Sequence, residues 1–280
     1  MNFLSINVRG LGVAGKQGWV KVLRSKHGVD FVALQETKVS DIRRFDGSKC
    51  WGKGDYDCDS VEASGRSGGL INIWNTKVFT KNSVVTDTNF LLTSGFLVED
   101  GSPLNVLNVY ALQKVVAKRA LWDKLKEVIG KFPGLWVILG DFNAVRCAEE
   151  RKNSRFNYSS AWDFNNFIDD AGLHEYYMRG NKFTFIAGNN GDFRLSKIDR
   201  VFVCQRFFNR WPTACLRALP RELSDHTPLL LSLVDSNSGV KPFRWFNSWL
   251  DREGCQEVVA KALGECVFEG PPDVVIINKL

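Results

Sequence analysis

Leu135-Trp136-Val137-Ile138-Leu139-Gly140-Asp141-Phe142-Asn143 makes the clearest structural statement in this chain. Five consecutive apolar residues, too few for a buried helix, read as a strand covered on both faces. A glycine then breaks the run, and an acid and an amide stand just beyond it. In open α/β sheets, ligands bind outside the carboxyl ends of buried strands. Asp141 and Asn143 are therefore candidate site residues. An Asp in such a place is more often a turn former or a helix cap, so the case needs other strand ends to agree.

Outward from this stretch, short apolar runs bounded by turn residues recur through the first 235 residues. Together with 135–139 they predict strands over 2–8, 31–35, 70–74, 96–98, 105–111, 183–186, 198–203, 214–219 and 229–234. Asn190-Gly191 predicts a hairpin joining 183–186 to 198–203, since both residues tolerate positive φ. Helical spacing appears at Trp19, Val22 and Leu23 after Gly15, and at Leu121, Leu125, Val128, Ile129 and Phe132 before Pro133-Gly134. A third helical face is Phe164, Phe167, Ile168 and Ala171, with Ser160 and Asp163 as a capping box. Helices separate only some of the strands. That pattern predicts an α/β sandwich of two mixed β-sheets with helices outside, not a regular β-α-β alternation.

Four more strand ends carry polar groups. Asn7 closes the first strand, and Glu36 follows Phe31-Val32-Ala33-Leu34-Gln35. Tyr110 closes Asn108-Val109, and Ser224-Asp225-His226 precedes Leu229-Leu230-Leu231. Singly these are ordinary: a solvated Glu, a rim Tyr, a turn with a local Asp-His bond. Jointly they would make a site. Glu36 with Asn7 and Asp225 offers the hard oxygen ligands that Mg²⁺ or Mn²⁺ prefers. Asp141 can take a proton from water while Asn143 holds that water or a phosphoryl oxygen, and Asp199 can orient His226. Metal, base, amide and carboxylate-supported imidazole describe hydrolysis of a phosphate ester.

Asn7, Gln35-Glu36, Tyr110, Gly140-Asp141-Phe142-Asn143, Ile198-Asp199-Arg200 and Ser224-Asp225-His226 resemble, in the right order, the motifs of the endonuclease/exonuclease/phosphatase superfamily. The finer likeness is to the endonuclease domain of plant non-LTR (LINE-type) retrotransposon polyproteins. It rests on Leu34-Gln35-Glu36-Thr37-Lys38, Gly65-Arg66-Ser67-Gly68-Gly69-Leu70, Phe183-Thr184-Phe185, Leu219-Pro220-Arg221 and Lys241-Pro242-Phe243-Arg244-Trp245. Leu112 and Phe185 depart from that branch, which often has Pro and Trp there; both lie beside the expected site, not in it, and bear on the geometry of the substrate loops more than on the chemistry.

The resemblance implies a four-layer sandwich and a DNA-nicking activity that leaves a 3′-hydroxyl and a 5′-phosphate. It implies that Glu36 binds Mg²⁺ (or Mn²⁺) with Asn7 and Asp225, and that Asp141 positions or deprotonates the attacking water. Asn143 would contact the scissile phosphate and Tyr110 would bond near it. His226, held by Asp199, would stabilise charge growing on the phosphoryl oxygens. Thr184, Ser224 and Arg200 would contact the DNA backbone.

Composition sets outer bounds. Of 280 residues, 44% are apolar and 24% charged, which excludes disordered, collagenous and coiled-coil classes. The net charge of +6 permits a polyanionic partner without demanding one. Arg146, Arg151, Lys152, Arg155, Arg179, Lys182, Arg194, Lys197 and Arg200 flank the candidate motifs and would attract the DNA backbone, or simply form a solvated face. Gly65-Arg66-Ser67-Gly68-Gly69 lacks the Lys-Ser/Thr of a phosphate loop and reads as a tight turn.

Seven cysteines without a C-x-x-C pair predict free thiols. With no signal peptide or membrane-length apolar run, the expected protein is soluble, monomeric and intracellular, and nuclear when acting on DNA. Ser236-Asn237-Ser238-Gly239 reads as a linker. It divides a catalytic domain over 1–235 from an aromatic segment over 236–280, the expected remnant of a link to a reverse transcriptase domain that this chain lacks. Two rival functions remain open at this level. One is a phosphoesterase of the same superfamily acting on inositol phosphates or lipid headgroups; the other is an inactive nucleic-acid-binding fragment of a mobile element.

Overall fold

The computed structural model describes residues 1–63, 68–188 and 192–233, together with Gly254, Glu257, Val258, Ala260 and Lys261. Met1–Asp235 and Ser236–Leu280 separate as two compact units. In the second, Glu257, Val258, Ala260 and Lys261 are helical. The expected linker and the aromatic stretch 242–249 lie outside the described residues.

In chain order the first strands are β1 (Asn2–Asn7), β2 (Phe31–Gln35), β3 (Asp57–Val61), β4 (Leu70–Trp74), β5 (Phe79–Asp87), β6 (Phe90–Leu97), β7 (Pro103–Tyr110) and β8 (Leu135–Asp141). They are followed by β9 (Arg151–Lys152), β10 (Leu173–Glu175), β11 (Met178–Arg179), β12 (Phe185–Ala187), β13 (Arg194–Ser196), β14 (Asp199–Cys204), β15 (Cys215–Ala218) and β16 (Leu229–Ser232). The helices are α1 (Lys16–Lys26), α2 (Ser48–Trp51), α3 (Val115–Lys131), α4 (Tyr158–Asp170) and α5 (Gln205–Arg210). One mixed sheet runs β11-β15-β16-β1-β2-β4-β3 and a second β10-β14-β8-β7-β6-β5; β12-β13-β9 form a small third sheet.

Two-residue alternation builds the layers. Phe3, Phe31, Ala33, Leu135, Val137, Leu139, Val201, Leu229 and Leu231 point inward and fuse the two large sheets. Their neighbours Leu4, Ile6, Val32 and Leu34 point outward onto Trp19, Val20 and Leu23 of α1. On the opposite side, Val109, Trp136, Ile138 and Phe202 pack on Trp122 of α3 and on Phe164 and Phe167 of α4. The molecule is thus an α/β sandwich of two mixed sheets flanked by helices. Toward one end the inward face turns polar. Ser5 and Asn7 succeed Phe3, Gln35 succeeds Ala33, Asn108 and Tyr110 succeed Val106, and Asp141 succeeds Leu139.

Some expectations give way. Only 96–98 was predicted in a region where β5 and β6 form a long hairpin, and β3 was not predicted. These strands hold many Thr, Ser, Asn and Asp residues because β3 and β5 lie at sheet edges. The segment 198–203 does not form a hairpin with 183–186. Phe185–Ala187 pairs with Arg194–Ser196, and Asp199–Cys204 pairs with β8; Asn190-Gly191 lies outside the described residues.

Val22 is 57% exposed, because the buried face of α1 runs through Trp19, Val20 and Leu23. The cap of α4 is Asn157, whose side chain accepts from the Ser160 N–H at 2.9 Å, while Asp163 pairs with Arg119. Among the described residues Cys50, Cys58, Cys147, Cys204 and Cys215 are free thiols, and no helix is long and apolar enough to cross a membrane.

Candidate active site

The end of β8 is the organising point. Asp141 stands in register with Tyr110 of β7 on one side and Asp199 of β14 on the other. Gly140, one residue before it, has φ +137°, and a Cβ there would lie 2.0 Å from the Val109 carbonyl oxygen. Only glycine lets the strands meet so closely at this point. Arg9, Glu36, Lys38 and Asn143 also have positive φ, unusual for residues with side chains. Strained backbone gathers here, as it does at sites that must hold a fixed geometry.

Two amides fix the Asp141 carboxylate. Asn7 Nδ2 donates to Oδ2 at 2.9 Å, and the Asn143 N–H donates to Oδ1 at 2.9 Å. Asp199 holds His226, with Nδ1 3.0 Å from both carboxylate oxygens, so the ring presents Nε2 to the site. His226 Nε2 faces Asp141 Oδ2 across 3.9 Å, too far for a direct hydrogen bond and wide enough for an intervening oxygen.

Burial is the main force lifting the Asp141 carboxyl to about 7; the Asp199 charge adds to it, and His226 with the two amide donors offsets part. Burial alone would lower the His226 imidazole. Asp199, by charge and hydrogen bond, outweighs it with help from Asp141 and Asp225, and lifts the ring to about 9. A carboxylate that titrates near neutrality beside a protonated imidazole suits proton transfer.

Around this pair sit the other predicted residues. The Tyr110 hydroxyl bonds Glu36, and burial followed by the Glu36 and Asp141 charges holds it protonated. Glu36 also pairs with Lys38 at 3.2 Å, and Asp225 pairs with Arg9. Among the described residues, the set of acids and histidines close enough to share a cation is Asp141, Asp199 and His226. Two members of that set are already committed to each other. Glu36 and Asp225 offer hard oxygens outside that set, each beside a cation, Lys38 and Arg9. Among the described residues Asp225 Oδ1 is buried with no hydrogen-bond partner, an arrangement that a cation would satisfy.

The predicted DNA contacts fare differently. Arg200 is fully buried, one residue past Asp199 and hence on the opposite face of β14, where it binds Glu175 at 2.9 Å and also Glu150. Thr184 is fully buried too, and its Oγ1 accepts from the Ile198 and Asp199 N–H groups at 3.0 Å each. Ser224 Oγ donates to the Asn7 carbonyl and accepts from the His226 N–H. All three are bonded to the protein itself: Thr184 braces Asp199, Ser224 braces Asn7 and His226, and Arg200 is sealed against Glu150 and Glu175.

Asn143 is also partly committed. Its Nδ2 donates to the Ala111 carbonyl at 2.8 Å and points at Asp141, which leaves Oδ1 as the free atom. It can hold a water better than it can hold a phosphoryl oxygen. Sequence reasoning passed over Lys16, which is buried and braces the carbonyls of Val8 and Arg9, and Lys118, whose Nζ donates to the Asn143 carbonyl at 2.9 Å. Each lies on a helix with no spacing signal to mark it.

Residues 4–226 match the Endonuclease/Exonuclease/phosphatase family, and the chain belongs to it. The Transposon TX1 uncharacterized 149 kDa protein of Xenopus laevis is 27% identical over 165 residues. That match covers 56% of this chain but only 12% of the transposon protein. The APE2 catalytic domain of Xenopus laevis shares the fold, with a TM-score of 0.66 at 18% identity over 83% of this chain and 91% of that one. So does the endonuclease domain of TRAS1, a telomere-specific non-LTR retrotransposon, with a TM-score of 0.61 at 14% identity over 82% and 96%. The predicted family membership is borne out, and the partial match to a transposon protein accords with the finer likeness.

Proposed function

We propose that the chain is a divalent-metal-dependent endonuclease that nicks DNA, leaving a 3′-hydroxyl and a 5′-phosphate, as in retrotransposon target-site cleavage. The observation that carries this reading is the 3.9 Å gap between Asp141 Oδ2 and His226 Nε2, flanked by Asn7 and Asn143. Asp141 takes the proton of an attacking water that Asn143 Oδ1 orients. His226, charged and braced by Asp199, donates from Nε2 to a phosphoryl oxygen as negative charge grows there. Glu36 and Asp225, with Asn7 beside them, would hold Mg²⁺ or Mn²⁺, which supplies charge neutralisation at the phosphate. Residues 1–235 carry the activity, as a monomer and in the nucleus.

The test is relaxation of supercoiled plasmid. Wild type should nick with Mg²⁺ and not with EDTA, and Asp141→Ala or His226→Ala should lower the rate by roughly 10²–10⁴. Equal nicking by all three proteins would reject the assignment. Phosphate release from inositol phosphates without nicking would move the activity to a different phosphoester.

A further inference from the structure

Between the start of α3 and the small sheet β12-β13-β9 lies a cleft of about 360 Å³ that shares Asn143 with the catalytic centre. Lys118, Arg151 and Arg194 line it together with Ser154 and Phe185, and no carboxylate of the described residues does. This sets it apart from the neighbouring cations. Lys197 and Arg200 are neutralised by Glu175 and Glu150, and Arg146 donates to Asn165 beside the same acids.

Two atoms in the cleft lack a counterpart. Among the described residues, Arg151 Nε and Ser154 Oγ are buried with no hydrogen-bond partner, while Arg151 Nη1 donates to the Arg155 carbonyl. Burial, with the Arg151 charge adding to it, pushes the Lys118 ammonium below its ordinary range, and burial does the same to Arg151. The first turn of α3 has neither a side-chain cap nor an acidic residue, so its positive end also favours an anion. Phe185 joins the two regions, its ring 4.7 Å from the His226 imidazole.

We infer that this cleft is a phosphate subsite that takes the backbone phosphodiester adjoining the scissile one, with Arg151, Arg194 and Ser154 as direct contacts. Lys118 sits two hydrogen bonds from the Asp141 carboxylate, through Asn143. An anion held there would fix the register of the strand against the catalytic carboxylate. The choice of ligand rests on the nuclease reading.

The test measures binding of a fluorescent DNA duplex in EDTA across a salt series. Arg151→Gln and the more exposed Arg194→Gln should each weaken binding, and the double variant should flatten the salt slope by about one. Lys53→Gln, at an exposed position beside α2, should leave the slope unchanged. Circular dichroism melts show whether Arg151→Gln remains folded, and Arg194→Gln stands as an independent probe. An unchanged slope in the double variant overturns the subsite.

A covalently closed circle, which has no strand ends, should compete as well per nucleotide. Competition only by end-phosphorylated oligonucleotides would overturn the backbone assignment. Plasmid nicking separates the two ideas: nicking with unchanged slopes rejects the subsite alone, and slope loss without nicking retains the subsite and rejects the nuclease.

Discussion

Thr184 is fully buried, and its hydroxyl oxygen accepts from two backbone N–H groups, those of Ile198 and Asp199, and so sets the height of Asp199 at the start of β14. Thr184→Val keeps the shape and orphans both donors. We expect a loss of about 1–3 kcal/mol of stability per orphaned group at most, measured by urea unfolding, and a fall in nicking rate that Thr184→Ser restores.

The Asp141–His226 pair makes a second claim at this scale. Both groups bind protons more tightly folded than unfolded, with His226 raised from 6.5 to about 9 and Asp141 from 3.8 to about 7. Their stabilisation is therefore complete at low pH and is lost as pH rises through the folded values. In EDTA the melting temperature should fall between pH 6.5 and about 9, and His226→Gln should flatten that fall. A wild-type melting curve independent of pH would contradict the arrangement.

Among the elements, α4 separates what periodicity reveals from what it does not. The spacing of Phe164, Phe167 and Ile168 marks the helix because burial on one face demands that spacing. The start of the helix is decided by a single side chain reaching a single N–H group, and both Asn157 and Ser160 are chemically able to do so. Asn157→Ala should cost about 1 kcal/mol, and Ser160→Ala should cost less, by thermal unfolding; the reverse order would restore the predicted cap. The hairpin of β5 and β6 escaped notice for a related reason. An edge strand needs only half its residues apolar, and Asn72, Thr93 and Asn108 place polar atoms even inside the sandwich. Asn108 there donates to Asn72 Oδ1 at 2.9 Å and accepts from Gln35 at 2.7 Å. Satisfied amides of this kind bury as well as Leu does, and no hydropathy pattern distinguishes them from surface residues.

At the scale of the whole molecule, two sheets meet so that β1, β2, β7 and β8 end, and β14 begins, at one rim. Metal binding should draw those ends together. With Mn²⁺ or Mg²⁺ at 100 times its dissociation constant, the fold should gain about 2.7 kcal/mol, read as a rise in melting temperature without any substrate. Glu36→Gln and Asp225→Asn should each abolish that rise, and its survival in both variants would remove these residues from the metal site.

The sequence by itself determined most strands of the buried core, the two-sheet class and the placing of Asn7, Glu36, Asp141, Asp199 and His226 at strand ends as a candidate set. Burial imposes a period, and chemistry imposes residue types at strand ends; both leave marks in one dimension. Which basic residues are free was decided only by tertiary structure. Arg194 and Arg200 lie six positions apart in one basic stretch, yet one lines a cleft with no carboxylate among the described residues and the other is sealed against Glu150 and Glu175. A cation is neutralised by whatever carboxylate folding brings beside it, and Glu175 comes from another strand, 25 residues away from Arg200.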